Sequence, residues 1–238
     1  MAKLYHISRL NAPKTWPIAR KGIKWIARPI PGPHTFYHAM PLSIYLRDIL
    51  GLASITKHIK KILNEGSVKI NGKVRKELNF PVGLFDVLSI AQINKHYRVV
   101  LTQNGLLNLI EIPASDAKLV PAKIISKVTV KNGKLQINCN NGWNFRADKD
   151  NYAVGDVILF DAEKNKPAKH IKLTEGNTAY VIGGKHVGSI AKLEKFKETG
   201  ELKKKRVAIL KRDSDSWESP VEQLFVVGEK EAEIKLTK

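Results

Sequence analysis

Between residues 42 and 64 the apolar positions recur at helical spacing. Leu42, Leu46, Ile49 and Leu50 fall on one face of a short helix, and Gly51 suits its end. Ser54 offers an N-cap for a second helix. There Ile55, Ile59, Ile62 and Leu63 gather on one side, at about 100° per residue. Lys57, Lys60 and Lys61 are left on the opposite side, and Gly66 closes the helix. The period then falls to two. Ser67–Lys76 reads as two extended segments around Asn71-Gly72, a strong hairpin signal. A two-residue loop would set Ile70 opposite Lys73. A three-residue loop, Asn71 to Lys73, pairs Ile70 with Val74 and preserves an apolar face, so it is the expected register. Phe85–Ile90 follows as another strand.

From about Asn94 onward the pattern is all β. Tyr97–Thr102 and Leu106–Ile112 flank Asn104-Gly105. Lys127–Lys131 and Lys134–Cys139 flank Asn132-Gly133. A two-residue turn there would set Val130 against Leu135 and Val128 against Ile137. Val157–Phe160 follows Val154-Gly155-Asp156. Near Leu173 a last region begins: Asn177–Ile182, the turn Gly183-Gly184-Lys185-His186-Val187-Gly188, then Ser189–Leu193. Val207–Leu210 and Leu224–Val227 would complete a small barrel, with the basic run Lys203–Arg206 between the strands.

Residues 1–41 read differently, as an arm. Pro13, Pro17, Pro29, Pro31, Pro33 and Pro41 forbid a long helix. Trp16, Trp25, Phe36 and Tyr37 are interleaved with cations, which suits phosphate contact and base stacking; equally, the aromatics could pin the arm to its own domain. Lys3, Arg9, Lys14, Arg20, Lys21, Lys24, Arg28 and Arg47 precede the first acid, Asp48. Free in solution such an arm is expected to be partly disordered. The acids concentrate later, notably over residues 211–238, where they are expected to face solvent or a basic neighbour.

Charge changes the picture from fold to partner. The 238 residues carry 41 Lys+Arg against 22 Asp+Glu, a net charge of +19. A small domain ordinarily carries a net charge of about 2–8 in magnitude. A polyanion offsets such self-repulsion through phosphate contacts and counterion release. No run of about 18 apolar residues and no apolar leader argue for a membrane. A single cysteine, Cys139, excludes a disulfide framework and a cysteine-based zinc site, so an intracellular, cytoplasmic protein is expected.

Three further features carry weaker chemistry. His34 and His38 lie four apart, but Pro33 and Pro41 bracket them and no acid is near in sequence, so packing or phosphate contact is expected rather than a metal. Gly183-Gly184-Lys185 lacks the spacing of a nucleotide loop; its glycines suit positive φ in a tight turn. Cys139 sits in a predicted strand as a small buried side chain. No cofactor, metal or small-molecule substrate is expected.

The helical pair, the Gly66–Val74 stretch and Phe85-Asp86-Val87-Leu88 together resemble the S-four RNA-binding domain. Gly176–Ile190 resembles a KOW motif. The opening His6-Ile7-Ser8-Arg9-Leu10-Asn11-Ala12-Pro13, with Trp16-Pro17 and Pro29–His34, resembles the start of the archaeal and eukaryotic small-subunit ribosomal proteins of the S-four-e family. The three occur in that family's order across essentially the whole chain, and the length suggests an archaeal member. Ser189 departs from the alanine or basic residue that many KOW motifs carry there.

The resemblance implies an α+β protein: a basic arm over residues 1–41, an S-four domain over 42–104, a central β domain over 105–172 and an SH3-like KOW barrel over 173–238. It implies a structural constituent of the small (30S) subunit that binds ribosomal RNA, meets neighbouring subunit proteins, takes part in translation and is monomeric outside the ribosome. The expected RNA-binding residues are Lys3, Arg9, Lys14, Arg20, Lys21, Lys24, Arg28, Arg47, Lys57, Lys60, Lys61, Lys69, Lys73, Arg75 and Lys76. The KOW turn is Gly183, Gly184, Lys185 and Gly188. S-four domains also serve pseudouridine synthases and tyrosyl-tRNA synthetases, but those need a further large α/β domain that this chain does not spell; Arg47-Asp48 lies inside a predicted helix and makes a poor catalytic loop. A KOW-bearing transcription elongation or RNA-remodelling factor is the other rival, and the basic arm argues against it.

Overall fold

The computed structural model describes residues 6–130, 133–147, 150–199, 205–212, 215–229 and 231–236. They form two compact units. Of these, the first comprises residues 6–100 and 106–120; the second comprises 101–105 and the described residues between 121 and 236.

In the first unit the arm is built, not trailing. Strand β1 (His6–Ser8) pairs antiparallel with β2 (Trp25–Ala27), Ser8 opposite Trp25. Trp16 is buried to 1% exposure, and its indole N–H donates to Ala39 O at 2.9 Å. Strand β3 (Ala39–Pro41) pairs with Pro81–Gly83, and Ile30 N–H donates to Asn79 O. The arm thus lies against the domain that follows it, and burial of Trp16 supplies the apolar anchor that makes this order possible.

The helical pair follows. Helix α1 (Leu42–Ile44) runs into a π-helical turn over Tyr45–Ile49, which Gly51 ends at φ +62°. Helix α2 (Thr56–Asn64) buries Ile59 and Leu63. Its N-cap is Ile55 and not Ser54, without a side-chain cap, and Ile55 stands exposed. Next come β4 (Val68–Ile70), β5 (Lys73–Val74), β6 (Pro81–Gly83), β7 (Val87–Ile90), β8 (Lys95–Leu101) and β9 (Leu107–Ile112). Their main sheet runs in the order β5-β4-β7-β8-β9.

The first hairpin corrects the expected register. Ile70 opposes Lys73 and Lys69 opposes Val74, so the loop is the two-residue Asn71-Gly72. Both loop residues have positive φ, +47° and +76°, the geometry that matches the twist of two flanking strands. No apolar face is spoiled. Strand β5 is a short edge with both residues exposed, while Val68 and Ile70 are buried through β4's other neighbour, β7.

The described residues of the second unit are β-strands joined by loops and a 3-10 turn at Val221–Gln223. One sheet holds β10 (Leu119–Thr129), β11 (Leu135–Cys139), β12 (Asn144–Ala147), β13 (Val157–Asp161) and β14 (Lys166–Ile171), in the order β12-β11-β10-β13-β14. Its core is Ala122, Ile124, Ile137, Cys139, Ile158 and Phe160, with Trp143 edge-on to Phe160 at 4.7 Å. Burial pushes the Cys139 thiol up to about 12, so it packs as a small inert side chain. Here too the register differs. Thr129 opposes Leu135 and Lys127 opposes Ile137, one residue from the expected pairing, with Val130 N–H donating to Lys134 O. Asn132, half of the turn predicted there, lies outside the described residues.

The other sheet contains β15 (Thr178–Val181), β16 (Ile190–Thr199), β17 (Lys205–Arg212), β18 (Asp215–Pro220) and β19 (Leu224–Gly228), in the order β18-β17-β16-β15-β19. A second apolar cluster, including Ala179, Val181, Leu193, Leu210 and Leu224, belongs to it. The acid-rich C-terminal stretch is partly tied down: Glu233 pairs with Lys169 at 2.7 Å, and Ile234 and Leu236 are buried. Lys203 and Lys204 of the basic run lie outside the described residues.

Candidate nucleic-acid interface

The amphipathicity of α2 sets out the first basic surface. With Ile59 and Leu63 turned inward, Lys57, Lys60 and Lys61 stand exposed and line a shallow open concavity with His58, Asn64 and Glu65. On the β4–β5 hairpin and just after it, Lys69, Lys73 and Lys76 are exposed. Arg75 is half-buried, its guanidinium 4.5 Å from the Phe80 ring centroid. Arg47 is drawn into a bidentate contact with Asp48, both bonds 2.9 Å, which takes up much of its charge locally.

On the arm the cations divide into two kinds. Arg20 donates to the carbonyl oxygens of Arg9, Ala12 and Pro13 at 2.7–2.8 Å, and Arg9 donates to Ala19 O. These two arginines cross-brace the loop between β1 and β2. A guanidinium presents several donors in a fixed fork, so Arg20 satisfies the three carbonyls from two separate nitrogens, Nη1 on Arg9 and Ala12 and Nη2 on Pro13. Lys14, Lys21, Lys24 and Arg28 point outward. Lys3 lies outside the described residues. Among those described, Lys14, Lys21, Lys24, Arg28, Lys57, Lys60, Lys61, Lys69, Lys73 and Lys76 form no ion pair with an acid. An unpaired surface cation keeps its full charge for a phosphate.

The aromatics divide likewise. The buried Trp16 meets Phe36 in a tilted contact at 5.7 Å, whereas Trp25 and Tyr37 stay exposed. In the turn between β15 and β16, Gly184 and Gly188 have positive φ, and Lys185 is exposed. Gly183 does not have positive φ; Gln223 packs closely where its Cβ would be. His186 stacks on Trp217 at 4.3 Å, so that turn carries an aromatic pair of its own.

Sequence reasoning missed a buried polar cluster that ties the arm to the hairpin turn. Asp86 is 2% exposed. Its carboxylate accepts from Asn71 Nδ2 at 2.7 Å, His34 Nε2 at 2.7 Å and Gly83 N–H at 2.9 Å. Asn71 in turn accepts Val87 N–H through Oδ1. The arm, the hairpin turn and β6 therefore meet on one carboxylate. Burial pushes the His34 imidazole down, but the charge and hydrogen bond of Asp86 outweigh it and hold it above the usual range. His38 is lowered, by burial and then by the charge of His34. The available signal was an acid inside the apolar run Phe85–Leu88, a position that demands partners.

Comparison with known proteins places these features in order. The RS4NT (NUC023) domain matches residues 2–36, the S4 domain residues 40–88, and Ribosomal family S4e residues 93–167. The chain is 37% identical to small ribosomal subunit protein eS4 of Methanocella arvoryzae, over 94% of each chain. It is 38% identical to the eS4 protein of Methanosphaera stadtmanae, over 99% of this chain and 97% of that one. The crystal structure of the 30S ribosomal protein S4e from Thermoplasma acidophilum superposes with a TM-score of 0.70 at 26% identity, covering 84% of this chain and 99% of that one. With arm, helical pair and β modules in the same order along nearly the full length, the chain belongs to the eS4 family of small ribosomal subunit proteins.

Proposed function

We propose that the protein is a structural constituent of the small (30S) ribosomal subunit in the cytoplasm, that it binds ribosomal RNA and meets neighbouring subunit proteins, and that it performs no catalysis. One observation carries the reading: in a chain of this family, exposed lysines free of acid partners line α2, the β4–β5 hairpin and the arm. Lys57, Lys60 and Lys61 contact phosphates from the helix, and Lys69, Lys73, Arg75 and Lys76 from the hairpin. Lys3, Lys14, Lys21, Lys24 and Arg28 do so from the arm, with Arg9 and Arg20 shaping it and Arg47 at the margin.

Division into an arm (1–41), an S4 domain (42–104), a central β domain (105–172) and a C-terminal KOW barrel (173–238) is supported by the two separate apolar clusters of the second unit. In that reading the turn Gly183-Gly184-Lys185 to Gly188 extends the footprint on the ribosome. Outside the ribosome the protein is a monomer. Replacing Lys57, Lys60 and Lys61 together by glutamine tests the helix face. Affinity for a transcript of the small-subunit rRNA should fall, and the log–log salt slope should flatten by about 2, at roughly 0.7–0.9 per phosphate contact. Unchanged affinity and slope would remove α2 from the interface.

A further inference from the structure

The hairpin of the arm exposes apolar side chains that its own fold does not use. Its inner side is settled: Ile26 is buried and Ile7 half-buried opposite it. Alternation along β2 turns Trp25 to the other side, where it is 51% exposed. The Trp25 ring meets His6 edge to face at 4.9 Å, and the Lys24 ammonium lies 5.1 Å from its centroid. Beyond the ladder Arg9 N–H donates to Lys24 O, and there Leu10 and Ile23 stand 77% and 74% exposed. Of the nearby cations Lys24 lies against the ring itself, and Lys21 and Arg28, close to it in sequence, are exposed.

Exposing an indole and two aliphatic side chains on one short hairpin is unfavourable in a free protein. The pattern of charge identifies the occupant. No acid occurs before Asp48, so the charges that the hairpin itself contributes are all cationic. A polyanion that also presents flat apolar faces fits such a surface: RNA with a base unstacked from its neighbours. Aromatic rings flanked by cations stack bases tolerantly, because every base has a π-face.

We infer that Trp25 is a stacking platform for an unpaired nucleobase of RNA, with Lys21, Lys24 and Arg28 on the phosphates around it. This rests on the RNA-binding reading above and adds a non-electrostatic contact to it. His6 braces the ring, which limits the ordering needed on binding. Lys24 has a flexible four-carbon stem and can leave the ring for a phosphate as the base arrives.

The test uses the full-length protein and a transcript of the small-subunit rRNA, with binding measured across a range of salt. Trp25→Ala should weaken binding by about 5- to 100-fold while leaving the salt slope unchanged, because a stacked base releases no counterions. Trp25→Phe should recover most of the loss. Lys21→Gln with Lys24→Gln should flatten the slope instead. Thermal melts of all variants should match the wild type, since the ring is half in solvent. Binding by Trp25→Ala equal to that of wild type would overturn the inference. So would normal RNA binding combined with poor retention in assembled subunits, which would mark the surface as protein-facing. Failure of the wild-type chain to bind the transcript would instead overturn the reading on which this rests, and the inference with it.

Discussion

His34 Nε2 donates to Asp86 Oδ2 at 2.7 Å, joining residues 52 positions apart. The ring lies over β6 so closely that a Cβ at Gly83 would collide with it. Asp86 also accepts from Asn71 and from the Gly83 N–H, so one buried carboxylate fixes the arm, the hairpin turn and a strand edge. Asp86→Ala should destabilise the protein by about 2–4 kcal/mol, because it leaves buried donors unpaired. Urea denaturation reads this directly.

The same pair makes stability depend on pH. The native pKa of His34 lies above its ordinary 6.5, so the folded state holds this proton more tightly than the unfolded chain does. Its stabilisation is complete below about 6.5 and is lost as pH rises through the native value. The difference in urea midpoint between wild type and His34→Gln should therefore shrink between pH 5.5 and 8. A difference that grows with pH would contradict the assignment.

Arg20 is predicted to act inside the arm more than on RNA. Arg20→Lys loses most of the fork that satisfies Arg9, Ala12 and Pro13 carbonyls, each within 2.8 Å. Amide exchange over residues 9–21 should speed up by about tenfold, from a local loss on the order of 1–2 kcal/mol. Lys14→Gln, at an exposed site, should leave exchange unchanged and lower only RNA affinity and its salt slope.

In the second unit, the Lys123 ammonium donates to the carbonyl oxygens of Val221, Glu222 and Leu224 at 3.0, 3.0 and 2.7 Å. Burial pushes it down to about 8, partly countered by the charge of Glu222. Between about 8 and 10.4 the unfolded chain binds more protons than the native one, so stability contributed at this site rises with pH. Lys123→Met should cost about 1–3 kcal/mol at pH 7, with the gap to wild type widening toward pH 10 in calorimetry.

Gly188 and Gly176 make a paired control. Both have positive φ, +76° and +88°. A Cβ at Gly188 would approach Thr102 O to 2.6 Å, backbone that cannot step aside, whereas Gly176 has open space. Gly176→Ala should cost about 1 kcal/mol from strain alone, and Gly188→Ala distinctly more.

Much of this was legible in the sequence, and the misses have physical causes. The inward face of α2 followed from the spacing of Ile59 and Leu63, and the strands β7, β13 and β15 from their apolar runs. The Asn71-Gly72 register departs from the expectation because β5 is an exposed edge and gives Val74 no core to face. Strands β14 and β18 carry Pro167 and Pro220 and expose most of their residues, so neither alternation nor apolar content announces them. Both sit at sheet edges, where such residues are tolerated. The division of the arm into braces and free cations was invisible, since Arg20 and Lys21 read alike until the carbonyls of residues 9–13 fold around one of them.

Co-sedimentation tests the central claim most directly. Tagged protein expressed at its natural level, or in a close archaeal relative, should migrate with small ribosomal subunits in a sucrose gradient and remain there after a high-salt wash. Recovery with RNA polymerase alone, and absence from the small-subunit peak, would contradict the account.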